Sequence, residues 1–108
     1  MLNHILLDCR WGARVATDNP STSYRHGIPH PCRALDLSCS GALLLWPHDS
    51  EPPMVQRLEL QLGERVLTTL ARTVWTHADT MAVRFIGLDD ADRLDIAEYL
   101  DHIEHQLH

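Results

Sequence analysis

The sequence predicts a mainly β domain, an antiparallel barrel or sandwich that ends in a single helix. Three features of the 108-residue chain support this fold class. Short apolar or alternating runs recur with turn residues between them, which is typical of antiparallel β architecture. Strict alternation at residues 58–62 indicates a strand with one buried face. A helical repeat of apolar residues appears only near the end of the chain.

Residues 1–33 form the least regular third of the sequence and are predicted as an N-terminal arm or loop. Residues 19–23 have the composition of a turn, and residues 27–31 form a second group of helix and strand breakers. Strand segments are predicted at residues 3–9 and 32–37, although the first also fits a short helix.

The centre of the chain reads as strand, polar interruption and strand. Leu35 and Leu37 flank Asp36, and residues 42–46 form an apolar run typical of a buried strand. Asp36, Ser38 and Gly41 make a D-x-S-x-x-G pattern that offers a carboxylate, a hydroxyl and an accessible backbone N–H. A purine base or a phosphate could use all three groups. A tight turn, in which Asp and Ser bond their own backbone amides, explains the same pattern.

Three further strands are predicted after a loop at residues 47–53. They cover residues 58–62, 66–75 and 81–86, with turns at 63–64 and 77–80. The barrel strands as a whole are assigned to residues 34–88.

The last segment, residues 89–107, is predicted as a helix. Asp89 can cap its N-terminus, and two further aspartates in the first turn suit the helix dipole. Apolar residues recur at three- and four-residue spacing and would pack on the barrel: Ile96, Tyr99, Leu100, Ile103 and Leu107.

Charge and composition restrict the function. The formal net charge of −6 argues against binding a DNA or RNA polymer, because such affinity comes from neutralising phosphates. Residues 1–33 nevertheless carry four arginines against two aspartates, a small basic region that suits a compact anion. No apolar run approaches the roughly 20 residues of a membrane helix, so no membrane insertion is expected. Three cysteines without disulfide-framework spacing fit a reducing cytoplasm.

A second motif lies upstream of the first. Arg10 and Arg14 form an R-x-x-x-R pair, and D-x-S-x-x-G follows about twenty residues later. The order of these motifs, the strands ending in Ala-Val-Arg-Phe at residues 82–85 and the capped helix resemble the PilZ domain family over nearly the whole chain. That family consists of bacterial receptors for the second messenger cyclic di-GMP.

The resemblance implies a six-stranded antiparallel β-barrel with a C-terminal helix, as one domain spanning residues 1–108. It also implies ligand-binding roles for the two arginines and for Asp36, Ser38 and Gly41. Trp75 is a candidate for stacking on a guanine, with a structural role on the barrel rim as the alternative. Arg33 could add a phosphate contact, with a solvated strand residue as the alternative.

We therefore expect a cytoplasmic receptor and adaptor without enzymatic activity, whose N-terminal loop changes on binding and signals to an unidentified effector protein. Motility and biofilm formation are the expected outputs. No cofactor and no metal are expected apart from the ligand cyclic di-GMP, and a homodimer is left open. One alternative is a PilZ-like interaction module in pilus or motility machinery that binds no nucleotide. Another is an unrelated small β-barrel hydrolase or metal protein.

Overall fold

A computed structural model describes residues 14–46 and 53–106, with side chains described as far as residue 104. Within these ranges the chain forms six strands and one helix, here called α1. The elements are β1 (Val15–Arg25), β2 (Ile28–Leu37), β3 (Gly41–Leu45), β4 (Val55–Leu62), β5 (Arg65–His77), β6 (Thr80–Ile86) and α1 (Asp90–Gln106). The strand predicted at residues 3–9 and most of the loop at 47–53 lie outside the described residues.

The strands close into a barrel in the order β1-β2-β3-β6-β5-β4, and all six neighbouring pairs are antiparallel. This confirms the predicted six-stranded barrel with a C-terminal helix. Inward-facing residues alternate with outward-facing ones along each strand, as a half-buried sheet requires. The largest fully buried apolar side chains are Leu37, Leu44, Leu58, Leu60, Met81 and Ile96.

The prediction that residues 15–33 belong to an arm or loop is wrong. Residues 19–23 lie within β1, and Pro20 falls between a register shift after Ala16 and the start of β4 pairing at Ser21. A proline is tolerated there because the ladder does not need its missing N–H. The β1–β2 turn is made by His26 and Gly27, both with positive φ.

The prolines of β2 have the same explanation. Pro29 and Pro31 pair with β1 on one side, but β2 pairs with β3 only from Arg33 onward. At its first residues β2 therefore forms ladder pairs with β1 alone among the described strands, and a missing donor toward β3 costs little there.

Helix α1 packs against the barrel as its apolar pattern predicts. Its first turn is capped reciprocally, because the Asp92 N–H donates to Asp89 Oδ1 at 2.8 Å and the Asp89 N–H donates to Asp92 Oδ2 at 3.4 Å. This confirms Asp89 as the cap. Tyr99 accepts a hydrogen bond of 2.6 Å from Asn19 Nδ2, which ties the helix to β1. No helix among the described residues has both the length and the apolar character needed to cross a bilayer.

Candidate functional site

The strand register places four residues side by side on the outside of the barrel. Asp36 of β2 lies opposite Leu43 of β3, Leu43 opposite Ala82 of β6, and Ala82 opposite Trp75 of β5. We call this row, Asp36–Leu43–Ala82–Trp75, the outer platform. Adjacent strands are about 4.8 Å apart, so its ends are separated by roughly 14 Å along the sheet. Asp36, from the D-x-S-x-x-G motif, thus shares one face of the barrel with an aromatic residue.

Asp36 is the polar end of the outer platform. Its Oδ1 lies 3.5 Å from Arg14 Nη1, and the Asp36 side chain is 24% exposed. The pair has no hydrogen-bond geometry, and no described residue donates a hydrogen bond to this buried oxygen. A carboxylate oxygen in that state gains from any ligand that brings an N–H donor. The structure therefore brings Arg14 and Asp36 together, as the two sequence motifs predict.

Ser38, unlike Asp36, has its side chain bonded within its own turn. Its side chain is 1% exposed, and its Oγ accepts the backbone N–H groups of Ser40 and Gly41, both at 3.2 Å. The hydroxyl thereby fixes the turn between β2 and β3, which is the tight-turn alternative that the pattern left open. A ligand-binding role for Ser38 stays a prediction, and in this conformation its hydroxyl acts on its own backbone.

Gly41 is required by the neighbouring strand. A Cβ at this position would overlap the carbonyl oxygen of Val83 and lie 3.3 Å from the Cα of Arg84. Both atoms belong to the backbone of β6, so β3 and β6 approach each other more closely than a side chain permits. The absence of a side chain at Gly41 thus serves the contact between two strands, and its predicted ligand contact stays a prediction.

Trp75 forms the aromatic end of the outer platform. It is 47% exposed and follows a register shift between Thr73 and Trp75 in the β5–β6 ladder. Leu43 and Ala82 lie between it and Asp36, and Ala82 is buried. These two apolar residues make a floor that the sequence motifs did not identify, although the alternation along β3 and β6 places both outward. The indole is exposed enough to stack on a planar ligand.

Arg33 lies three residues before Asp36 on β2, opposite Leu45, and its side chain already has a partner. Its Nε donates to Asp18 Oδ1 at 2.6 Å, with both side chains exposed. This bond lowers the pKa of Asp18 and raises the pKa of Arg33. An exposed pair of this kind contributes little to stability and can exchange for another anion. Arg10 lies outside the described residues, so its predicted place beside Arg14 stays a prediction.

A separate groove of about 450 Å³ lies on the other side of Arg33, between β1, β2 and β4. It is lined by Pro20, Ser21, Thr22, Pro31, Cys32, Arg33, Leu45, Glu59, Gln61 and Val66. Of the predicted site residues that the structure describes, Arg33 alone lines it. The groove is therefore a different surface from the outer platform.

Cys32 in that groove gives the protein a pH-dependent stability. Burial raises the pKa of its thiol to about 11. A group whose pKa is raised on folding contributes fully below its unfolded pKa of roughly 8.5, and the contribution is lost as pH rises toward 11. We expect wild type to lose up to about 1.4 kcal/mol per pH unit in that window relative to Cys32→Ala. Urea unfolding at pH 8, 9 and 10 measures this, and parallel slopes for the two proteins would contradict it.

Among the described residues, no group of three or more His, Cys, Asp or Glu side chains is arranged to hold a metal ion.

Comparisons with known proteins cover most of the chain. The PilZ domain family model matches residues 10–102, whereas no curated protein sequence matches the chain. Several solved structures share the fold, among them the following three. The PilZ domain of CeSA from a cellulose-synthesizing bacterium has a TM-score of 0.66 and 14% identity, covering 86% of this chain and 99% of that one. The PilZ domain of YcgR from Escherichia coli with c-di-GMP has a TM-score of 0.73 and 13% identity, covering 89% and 92%. The Bacillus subtilis inhibitor of motility, MotI/DgrA, has a TM-score of 0.76 and 16% identity, covering 89% and 50%.

Proposed function

The chain belongs to the PilZ domain family, and on that premise we propose that it is a receptor for cyclic di-GMP that binds on the outer platform. The observation that carries the proposal is the Asp36 carboxylate, whose Oδ1 is buried, lacks a donor among the described residues and lies 3.5 Å from Arg14 Nη1. Guanine presents the donors that this oxygen needs, at its N1–H and its amino group.

Each part of the ligand has a matching group. Cyclic di-GMP carries two phosphates and two guanines. The planar fork of Arg14 can grip a phosphate, or O6 and N7 of guanine. Trp75, half exposed at the far end of the outer platform, offers a stacking surface worth roughly 1–3 kcal/mol per base. Arg10 is proposed as the second guanidinium of the site. The ligand-bound E. coli YcgR domain, which shares this fold, supports the choice of ligand.

Binding is proposed to act through the N-terminal residues. Among the described residues the Arg14 side chain has one ion pair, with Asp36, and a ligand that engages both arginines would replace it and reposition the segment that carries them. The rearranged surface would then be recognised by an effector protein in the cytoplasm, without a catalytic step. Motility is a proposed output, since one of the proteins of the same fold is an inhibitor of motility.

Titration calorimetry with purified protein tests the proposal directly. Cyclic di-GMP should give a saturable signal with a Kd in the micromolar range or tighter, about −8 kcal/mol or better. Cyclic di-AMP has the same phosphates but lacks the guanine donors to Asp36, so it should bind at least about tenfold more weakly. No saturable signal at roughly 1 mM cyclic di-GMP would refute the proposal.

A second candidate is a protein-interaction module of the same family that binds no nucleotide. The outer face of β5 favours it, because Val66, Leu70 and Val74 are each more than half exposed. Exposed apolar residues grouped on one strand are typical of a protein contact. If titration with cyclic di-GMP gives no binding signal and the protein binds a pilus or motility protein, this candidate is supported over the first.

A further inference from the structure

Two arginines lie directly opposite each other beside the outer platform. Arg72 of β5 pairs in register with Arg84 of β6, and on its other side Arg84 is opposite Gly41. Both arginines are exposed. Residues in direct register on an antiparallel pair point to the same face, so the two guanidinium groups extend from neighbouring points on the outside of the barrel.

Within the described part of the chain, no carboxylate neutralises the positive charges of Arg72 and Arg84. The ion pairs found there involve Arg14, Arg33, Arg65 and Arg93. No described carboxylate lies within ion-pair distance of Arg72 or Arg84, although the whole chain has an excess of six negative charges. Like charges directly opposite on a sheet destabilise it. An anion that sits between the two guanidiniums would turn this repulsion into attraction.

The position of the pair connects it to the proposed ligand. Arg84 is two residues from Ala82 on the same face of β6, which is about 6.6 Å along the strand. An arginine side chain spans that distance, so its guanidinium can reach over the apolar floor of the outer platform. Arg14, just before β1, lies 3.5 Å from Asp36 near the end of β2, and Arg84 is opposite Gly41 at the start of β3. Cationic groups therefore lie near both ends of the β2–β3 turn.

We propose that Arg72 and Arg84 form a second anion site on this face, which binds one phosphate of cyclic di-GMP while the N-terminal arginines bind the other. The inference rests on the proposed function and extends it to two residues outside both sequence motifs. Each of the two planar guanidinium groups can make two parallel hydrogen bonds to a phosphate. Lysine cannot make such bidentate bonds, so the site favours arginine.

Conservative neutral variants test the site. Arg84→Gln and Arg72→Gln should each weaken cyclic di-GMP binding roughly tenfold, because each removes charge-assisted hydrogen bonds to phosphate. Arg84→Lys keeps the charge without the fork and should lie between wild type and Arg84→Gln. Without ligand, Arg84→Gln should raise Tm by about 1–6 °C, since the like-charge repulsion is removed. A merely structural arginine would not combine weaker binding with higher Tm.

Arg65→Gln is the matched control. It removes one positive charge at the opposite end of β5, where Arg65 pairs with Asp95 of α1 at 2.7 Å, and it should bind as wild type does. If wild type binds cyclic di-GMP and Arg84→Gln binds within twofold of it, the second anion site is wrong and the proposed function stands. If wild type itself does not bind, both proposals fail. A fall in Tm of Arg84→Gln would show that the two charges are compensated and would also overturn the inference.

Discussion

The Arg14→Ala variant is expected to lose most of its affinity for cyclic di-GMP, about 100-fold, while remaining as stable as wild type. Arg14 is half exposed, and the ion pair found for it among the described residues is the 3.5 Å approach to Asp36, which lacks hydrogen-bond geometry. Surface pairs of this kind contribute about 0–1 kcal/mol to stability. In a complex, the same guanidinium would make two charge-assisted bonds worth roughly 1.5–3 kcal/mol each. Calorimetry measures the affinity for cyclic di-GMP, and thermal unfolding without ligand measures the stability.

Two companion variants make the Arg14 result interpretable. Arg14→Lys should recover part of the affinity, because it retains charge but not the planar fork. Asp36→Ala should weaken binding by a smaller factor, since it removes the acceptor for guanine and leaves the cation in place. Wild-type binding by both Arg14→Ala and Asp36→Ala would refute the assignment of the site to this end of the outer platform.

The sequence predicted which residue types form this site, because the motifs are short and contiguous. Two motifs with a carboxylate and a guanidinium predicted an anion and base site, and the structure places Asp36 next to Arg14. Spacing could not tell which polar groups remain free to bind. The Ser38 hydroxyl oxygen accepts hydrogen bonds from two backbone N–H groups of its own turn. Whether it does so depends on the path of the chain between β2 and β3, which the spacing of the motif does not give.

Long-range register was the other missing information. Arg72 and Arg84 are twelve residues apart in the sequence and become neighbours only because β5 and β6 pair in one register. A shift by one residue would turn one of them toward the core. Leu43 and Ala82 became a floor for the same reason. Sequence patterns predict whether a side chain points into or out of the barrel. Which residue of the neighbouring strand lies opposite it depends on how the strands pair in the closed barrel.

The N-terminal third shows a related limit of local propensity. Pro20, Pro29 and Pro31 indicated loops, yet all three lie in strands of ten or eleven residues. Pro20 lies just after an irregularity in the β1–β2 ladder, and Pro29 and Pro31 precede the first residue of β2 that pairs with β3. Propensity scales describe an average strand position and contain no information on which residues of a strand pair with a given neighbour. The strand at residues 58–62 was predicted correctly because its alternation is itself a signature of burial on one face.

Gly41→Ala is expected to be the most destabilising of these substitutions, with a loss of at least about 3 kcal/mol and a fall in Tm of more than ~10 °C. The added Cβ would overlap the Val83 carbonyl oxygen, which belongs to the backbone of β6 and cannot move as a side-chain tip can. To make room, β3 would have to separate from β6. That movement would weaken the bond of 2.9 Å from the Phe85 N–H to the Ser40 carbonyl and the buried turn around Ser38.

Gly27→Ala provides the control that separates sterics from backbone conformation. Gly27 has φ of +77°, and no atom lies within 4 Å of the place where an alanine methyl group would sit. Alanine there should therefore cost only the left-handed strain of roughly 1–2 kcal/mol. Gly41 lies outside the positive-φ glycines, so its cost would come entirely from strand contact. Chemical denaturation of both variants compares the two costs. A Gly41→Ala protein within about 1 kcal/mol of wild type would mean that β3 and β6 can part cheaply, and the glycine of the motif would then have to be explained by the ligand instead of the barrel.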